Sequence, residues 1–330
     1  FFMKEYLFHF FFIIYSILIY RYRNKISTKL KLMDFPDNIR KSHFVPVPAI
    51  GGLIIFPYIV SALIYLNFLS FIKVKVLLIW IFLYLSFFIT GIIDDKIHLN
   101  AKSKTFILLF VLFILLPMDS DLIVNILDFK DIKYVIVLNQ ASLFFTIFCV
   151  YLFYNSLIFS DGLNGVSLTL CLYFIIVIIF AQNEFNVYYN AILISIFLIL
   201  IPNLLGRIFI GNSGVSFLAC ILFLLFIDSY NKNLILFDEI MLIVFLPTVD
   251  AGRVTIERII NGESPFKSDK NHFHHLLIKI FKKEYFFLPY LIFAMLPYLV
   301  TKINVTTYIS LIIFSALYFL TLIFLKRKNV

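Results

Sequence analysis

Charge is scarce in this chain of 330 residues. Asp, Glu, Lys and Arg make up 14% of it, against 62% hydrophobic residues, and the mean hydropathy is +1.00. Such a composition excludes a soluble domain and marks an integral membrane protein. Cysteine is nearly absent. The three present, Cys149, Cys171 and Cys220, all lie in apolar segments. Their number and spacing exclude a disulfide framework and a thiolate metal site. No small-residue cleavage site follows the first apolar run, so Phe8–Tyr20 reads as a first span rather than a signal peptide, and Met3 is a candidate start. Neither an internal repeat nor a separate soluble domain is evident. The formal charge of +9 in so apolar a chain indicates membrane orientation rather than nucleic-acid binding.

What is there in abundance is length of apolar sequence. A bilayer span takes about 20 mostly apolar residues. Runs of that kind fall at 6–20, 50–70, 75–93, 105–117, 141–160, 166–181, 189–205, 214–230, 235–250, 285–300 and 306–325. The expected architecture is an all-α polytopic membrane protein of ten to eleven transmembrane helices, forming one domain over 1–330. With the N-terminus outside, the inward loops carry 21 of the 28 Lys and Arg residues. The segment 117–140, with Asp119, Asp121, Asp128 and Asp131, falls outside. This bias predicts a definite orientation.

The same threading puts the polar clusters on one face. They are Asp94-Asp95, Asn155 to Gly165 with Asp161-Gly162 and Asn164-Gly165, Gly211-Asn212-Ser213-Gly214, and the loop 251–284 with His272, His274 and His275. Carboxylates and histidines are costly near lipid, so polar groups at span ends point to function. Adjacent carboxylates can bind a hard divalent cation or leave one as a base, and Lys96, Lys102 and Lys104 follow them. A solvated loop of mixed charge would look similar. Asp161-Gly162 and Asn164-Gly165 are turn dipeptides, but a turn does not need Asn155, two helical turns earlier and facing the bundle interior. The Gly211–Gly214 segment, read as a loop between two spans, would let backbone N–H groups approach a phosphate. Three histidines within four residues are too dense for a tetrahedral zinc site and lack cysteine partners. With Arg253, Arg258, Lys267 and Lys270 around them they suit a diphosphate. Arg40, Lys41 and His43, ahead of Pro46, Pro48 and Gly51-Gly52, form either a positive-inside anchor or a clamp for an anionic headgroup. One-sided placement suits an enzyme that joins a membrane lipid to a soluble co-substrate. A transporter would place its charges near the bilayer midplane.

In order, these segments resemble the polyprenyl-phosphate N-acetylhexosamine-1-phosphate transferase family, glycosyltransferase family 4. The His-x-His-His form is more similar to its WecA/TagO-like branch than to its MraY branch. The resemblance runs from about residue 40 to residue 280. It includes Pro265-Phe266-x-x-Asp269-x-x-His272 and Asp94-Asp95-x-x-x-Leu99. It implies a cytoplasmic-face active site in a bacterial inner membrane and transfer of a HexNAc-1-phosphate from a UDP-activated amino sugar to undecaprenyl phosphate. UMP is released, and the product initiates a cell-surface polysaccharide. Mg²⁺ or Mn²⁺ is the implied cofactor, membrane lipids are the surroundings, and a homodimer is compatible with it.

The implied roles are as follows. Asp94, Asp95 and Asp161 are catalytic and, with Asn212, hold the metal. Lys41, His43, Lys102, Asn155, Asn164, Arg253, Arg258, His272, His274 and His275 bind substrate. The chain departs from the family pattern at Ile158 and Asn164, where the family has Asn and often Asp, and at Asn212, where it has a metal-binding Asp. Asn keeps a carbonyl oxygen but loses the charge, so metal affinity should fall. The alternative expectation is therefore a weakened homologue that binds lipid phosphate or nucleotide as a scaffold.

Overall fold

A backbone inside a bilayer has no water to bond, so an apolar run long enough to cross satisfies its N–H and C=O groups internally, as a helix. The computed structural model describes residues 2–36, 45–70, 74–132, 134–265, 270–278, 280–282 and 285–327. Its elements are α1 (Phe2–Arg21), α2 (Arg23–Leu30), β1 (Met33–Asp34), β2 (Val47–Pro48), α3 (Gly51–Ser70), α4 (Val74–Ile97) and α5 (Ala101–Leu115). There follow β3 (Ile126–Leu127), β4 (Ile136–Val137), α6 (Ser142–Ser160), α7 (Val166–Gln182), α8 (Val187–Leu204) and α9 (Gly211–Asn231). The chain ends with α10 (Phe237–Ile243), α11 (Phe245–Ile260), α12 (Phe273–Leu277), α13 (Phe287–Val300) and α14 (Thr307–Arg327). Among the described residues eight helices (α1, α3, α4, α5, α6, α8, α9 and α14) are long and apolar enough to cross a membrane, and α7 and α13 are shorter apolar helices. The protein is an all-α, multi-pass membrane protein.

Ten of the eleven expected spans correspond to one helix each. The ninth, 235–250, does not. It is two helices, α10 and α11, broken at Val244. Pro247 supplies no N–H to the carbonyl of Ile243, so the helical ladder fails there. The second helix then continues to Ile260, so Arg253 and Arg258 stand on α11 and not in a loop. Two further boundaries shift. Asp94 and Asp95 lie in the last turn of α4, and Gly211–Gly214 is the first turn of α9 rather than a connecting loop.

The chain forms two compact units, Phe1–Ser120 with Ile175–Leu222, and Asp121–Phe174 with Phe223–Val330. In the first, α3 packs on α8, α4 packs on α5 and α3, and α1 packs on α3 and α8. Asn100 caps α5, its side-chain oxygen accepting from Ser103 N at 2.7 Å, and Asn186 caps α8 through the N–H groups of Tyr188 and Tyr189. The antiparallel pair β1–β2 leads into a bridge between Ala49 and Phe209. The N–H groups of Gly51 and Gly52 continue it, donating to Phe209 O and Ile210 O at 3.0 Å. Gly91 permits α4 to touch the start of α9 backbone to backbone. A Cβ there would stand 2.4 Å from Ser213 Cα.

In the second unit α6 lies along α11, α10 and α13 pack on each other and on α14, and α12 rests on α13 and α14. The β3–β4 hairpin is tied down by Tyr230, whose hydroxyl donates to Ile126 O at 2.6 Å. Glu239 on α10 pairs with Lys130 at 3.0 Å and Lys302 at 3.3 Å.

Candidate active site

Asp94 and Asp95 are neighbours with different partners. The Asp94 carboxylate is buried and forms an ion pair with Lys104 of α5, Nζ to Oδ2 2.8 Å. Asp95 accepts from Asn212 N at 2.8 Å and from Ser213 N at 3.0 Å, and so caps the first turn of α9. The first N–H groups of a helix have no partner within it and carry its positive dipole end, which a carboxylate satisfies. The phosphate-accepting amides expected at Gly211–Gly214 are thus partly taken by Asp95, and the same bonds fix where Asn212 sits. The Asn212 side chain is half-buried and Lys102 is exposed in the first turn of α5. Lys41 and His43 lie outside the described residues, as do Arg40, Phe266, Lys267 and Asp269.

The second unit carries the other candidate residues. Asp161 is the C-cap of α6 and accepts from Ser167 Oγ at the start of α7. Asn164 is half-buried in the same turn, and Gly165 closes it at φ 85°. Asn155 is half-buried, and its amide nitrogen donates to Tyr151 O at 2.8 Å. That turns the nitrogen back along its own helix, not toward the 161–165 turn. Gly162 lies directly against the histidines. A Cβ on it would stand 2.9 Å from both His274 Nε2 and His275 Nε2. The sequence expectation grouped these motifs, and here the Asp161-Gly162 turn and the histidine segment do meet.

His272 and His274 are stacked, ring centroids 5.6 Å apart, and His274 and His275 are 4.4 Å apart. His274 is buried, and neither of its ring nitrogens has a hydrogen-bond partner among the described residues. Burial pushes its pKa down, and the neighbouring His275 and His272 push it further the same way. The imidazole is therefore neutral near pH 7 and presents one nitrogen as an acceptor. Arg258 is buried, donates to Pro265 O at 2.7 Å and lies 5.7 Å from the Phe159 ring. That ring is 5.4 Å from the ring of His272.

The centre of this unit is a residue to which the sequence reading gave no role. Asp250 of α11 accepts from Arg253 Nη2 at 2.8 Å, His272 Nδ1 at 2.9 Å, Tyr318 OH at 2.7 Å and the Phe273 N–H at 3.1 Å. Burial alone would raise its pKa, but the bonds and charges of His272 and Arg253 outweigh that and hold it below the usual carboxylate range. Arg253 is committed within this network. It also donates to Tyr318 OH, Glu257 and Asn271 O, at 2.7, 2.9 and 2.7 Å. The spacing of Asp250 and Arg253, three apart on a helix, was the available signal. Tyr318, 68 residues away, gave none.

Beside this geometry stand the comparisons. The profile of glycosyl transferase family 4 matches residues 77–230, which include Asp94-Asp95, Asp161-Gly162 and Gly211–Gly214. A probable undecaprenyl-phosphate N-acetylglucosaminyl 1-phosphate transferase of Bacillus subtilis is 26% identical over 77% of this chain and 72% of its own length. The chain is similar to glycosyl transferase family 4 over just under half of its length. Two undecaprenyl-phosphate alpha-N-acetylglucosaminyl 1-phosphate transferases are each 24% identical to it. That of Yersinia pestis aligns over 77% of this chain and 72% of its own length, and that of Escherichia coli K12 over 81% and 74%. The family is generally metal-dependent.

The residues present suit a hard divalent cation in kind. Asp94, Asp95 and Asn212 offer oxygen donors at adjoining helix ends, and Asp161 offers another in its own unit. Among the described residues no three His, Cys, Asp or Glu side chains form a metal cage. Mg²⁺ does not require one, since it is commonly held by one or two carboxylates, substrate phosphates and water.

Proposed function

We propose that this protein transfers N-acetylglucosamine 1-phosphate, or a closely related HexNAc 1-phosphate, from its UDP derivative to undecaprenyl phosphate. The observation that carries the reading is the alignment, over three quarters of the chain or more, with transferases whose names state that acceptor and that group. The chemistry of the residues agrees with it. An oxygen of the lipid phosphate attacks the β-phosphorus of the nucleotide sugar. The bond from that phosphorus to the bridging oxygen breaks, and UMP leaves with the bridging oxygen and the α-phosphate. The obstacle is repulsion between anions, which fixed cations and hydrogen-bond donors offset.

In this reading Asp94 accepts a proton from the lipid phosphate or binds the metal, and Lys104 holds its carboxylate in place through the 2.8 Å ion pair. Asp95 holds the start of α9 so that the Asn212 carbonyl oxygen can serve as a ligand. Asp161, fixed by Ser167, with Asn164 and Asn155, positions the nucleotide or the metal. His272, His274 and His275 receive the diphosphate. Arg253 acts on them through Asp250, and Arg258 steadies the 258–265 segment. Lys41, His43 and Lys102 complete the anion-binding set. A bound Mg²⁺ or Mn²⁺ would neutralise phosphate charge and polarise the phosphorus under attack. The charge bias of the loops supports a site that faces the cytoplasm in a bacterial inner membrane.

Purified protein in detergent, given undecaprenyl phosphate, UDP-GlcNAc and Mg²⁺ or Mn²⁺, should release UMP only when lipid, sugar nucleotide and metal are all present. Asn212 favours one second reading, a chain that binds its ligands without turning them over. Release of UMP only from the Asn212→Asp protein would establish that reading, and release without lipid would overturn the first.

A further inference from the structure

The histidine segment could not hold its place by itself. α12 is five residues long, too short for a stable isolated helix, and among the described residues His274 has no hydrogen-bond partner for its ring. What attaches the segment to α11 is Asp250, together with Arg253, which donates to Asn271 O at 2.7 Å. One carboxylate meets the His272 ring at Nδ1 and the N–H of the next residue, Phe273, and is itself held by Arg253 and Tyr318. Asp250 and His272 are each at most 5% exposed, so water does not compete for these bonds. With Asp250 ionised, His272 Nδ1 carries the proton. The ring's remaining polar atom is then Nε2, in the tautomer able to accept or in the charged form able to donate. A carboxylate behind an imidazole fixes both its orientation and its tautomer, and behind metal-bound histidines its loss typically costs about 10–100-fold.

We propose that Asp250 is the positioning residue of the histidine segment. It sets His272 with Nε2 as its working atom toward the diphosphate, and it fixes the register of α12 through Phe273, so that His274 and His275 meet Gly162. This rests on the transferase reading for the identity of the diphosphate, but the positioning itself does not.

Two measurements on the purified full chain test it. The first is a double-mutant cycle in kcat/KM for UMP release with Asp250→Asn, His272→Ala and both. Asp250→Asn should cost about tenfold or more alone and a clearly smaller factor when His272 is already alanine, because the share that acts through that ring is then already lost and only the share through Phe273 remains. An equal loss in both backgrounds would mean a general structural role and would overturn the proposal. If Asp250→Asn does not yield folded protein, Asp250→Glu, which keeps the charge for Arg253 but displaces the carboxylate, enters the same cycle. The second is hydrogen–deuterium exchange without substrate. Exchange of residues 270–278 should speed up by about tenfold in the Asp250 variant while α13 stays protected. Unchanged exchange would overturn the proposal. A wild-type protein that releases no UMP would instead defeat the transferase reading, and the exchange result would still decide the role of Asp250.

Discussion

Asp94 and Asp95 read in the sequence as one acidic motif, and the structure separates them. Asp95 is joined to two backbone N–H groups of α9, and Asp94 to a single lysine. Asp95→Ala should therefore destabilise the protein by about 2–3 kcal/mol, the worth of a charge-assisted helix cap, visible as a lower melting temperature in detergent. Asp94→Asn should lower UMP release by about 100-fold with a smaller change in melting temperature. The sequence could show which polar residues were unusual, because each costs energy near lipid. It could not show how they were partnered, because Asp95 meets Asn212 across 117 residues and Asp250 meets Tyr318 across 68.

His274 permits a prediction about pH. Its folded-state pKa is depressed, by burial first, so the folded protein resists taking up a proton that the unfolded chain accepts below about pH 6.5. Stability from this residue is fully present above that pH and is lost as pH falls through the unfolded value toward the folded one. Melting temperature should drop as pH falls below about 6.5, and His274→Gln should flatten that part of the profile. An unchanged slope would show that other groups carry it. Gly162→Ala should abolish most activity, since its Cβ would stand 2.9 Å from two imidazoles. Gly252→Ala is the control. A Cβ there meets nothing within 4 Å, and activity should stay within about twofold, as for a surface helix substitution.

Among the helices, hydropathy identified every span that is apolar all round, since such a run in lipid has little alternative to a helix. It failed at α11, which has the reverse of a soluble helix's pattern. Asp250, Arg253 and Arg258 are buried, while Ile256, Ile259 and Ile260 are exposed. A reading that assigns charged residues to loops ends the helix at Asp250 and misses ten further residues of α11. Buried charges on a helix persist when they are paired and hydrogen-bonded; Asp250 and Arg253 pair at 2.8 Å, and Arg258 donates to Pro265 O. Pro247 was the legible sign of the break ahead of it. The first turn of α9 was misread for a related reason, because Gly-Asn-Ser-Gly has loop composition but receives its cap from another helix. If the Asn212 oxygen is a metal ligand, Asn212→Asp should lower the metal concentration needed for half-maximal UMP release. No shift in a protein that remains active would remove Asn212 from the ligand set.

For the molecule as a whole, 21 of 28 cationic residues in the inward loops predict that Lys102→Cys is labelled from the cytoplasmic side alone and Asp121→Cys from the other. The division into two compact units was not legible, because both are built from apolar helices and two of the three boundaries fall inside α7 and α9 rather than in linkers. In the proposed reaction a phosphorus atom moves with the sugar. The direct measurement uses UDP-GlcNAc labelled separately at its α- and β-phosphorus, with undecaprenyl phosphate and Mg²⁺, followed by solvent extraction of the lipid. The β-label should enter the lipid phase as a diphosphate-linked sugar, and the α-label should leave in UMP. Both labels remaining together in released UDP, with only the sugar on the lipid, would contradict that reaction.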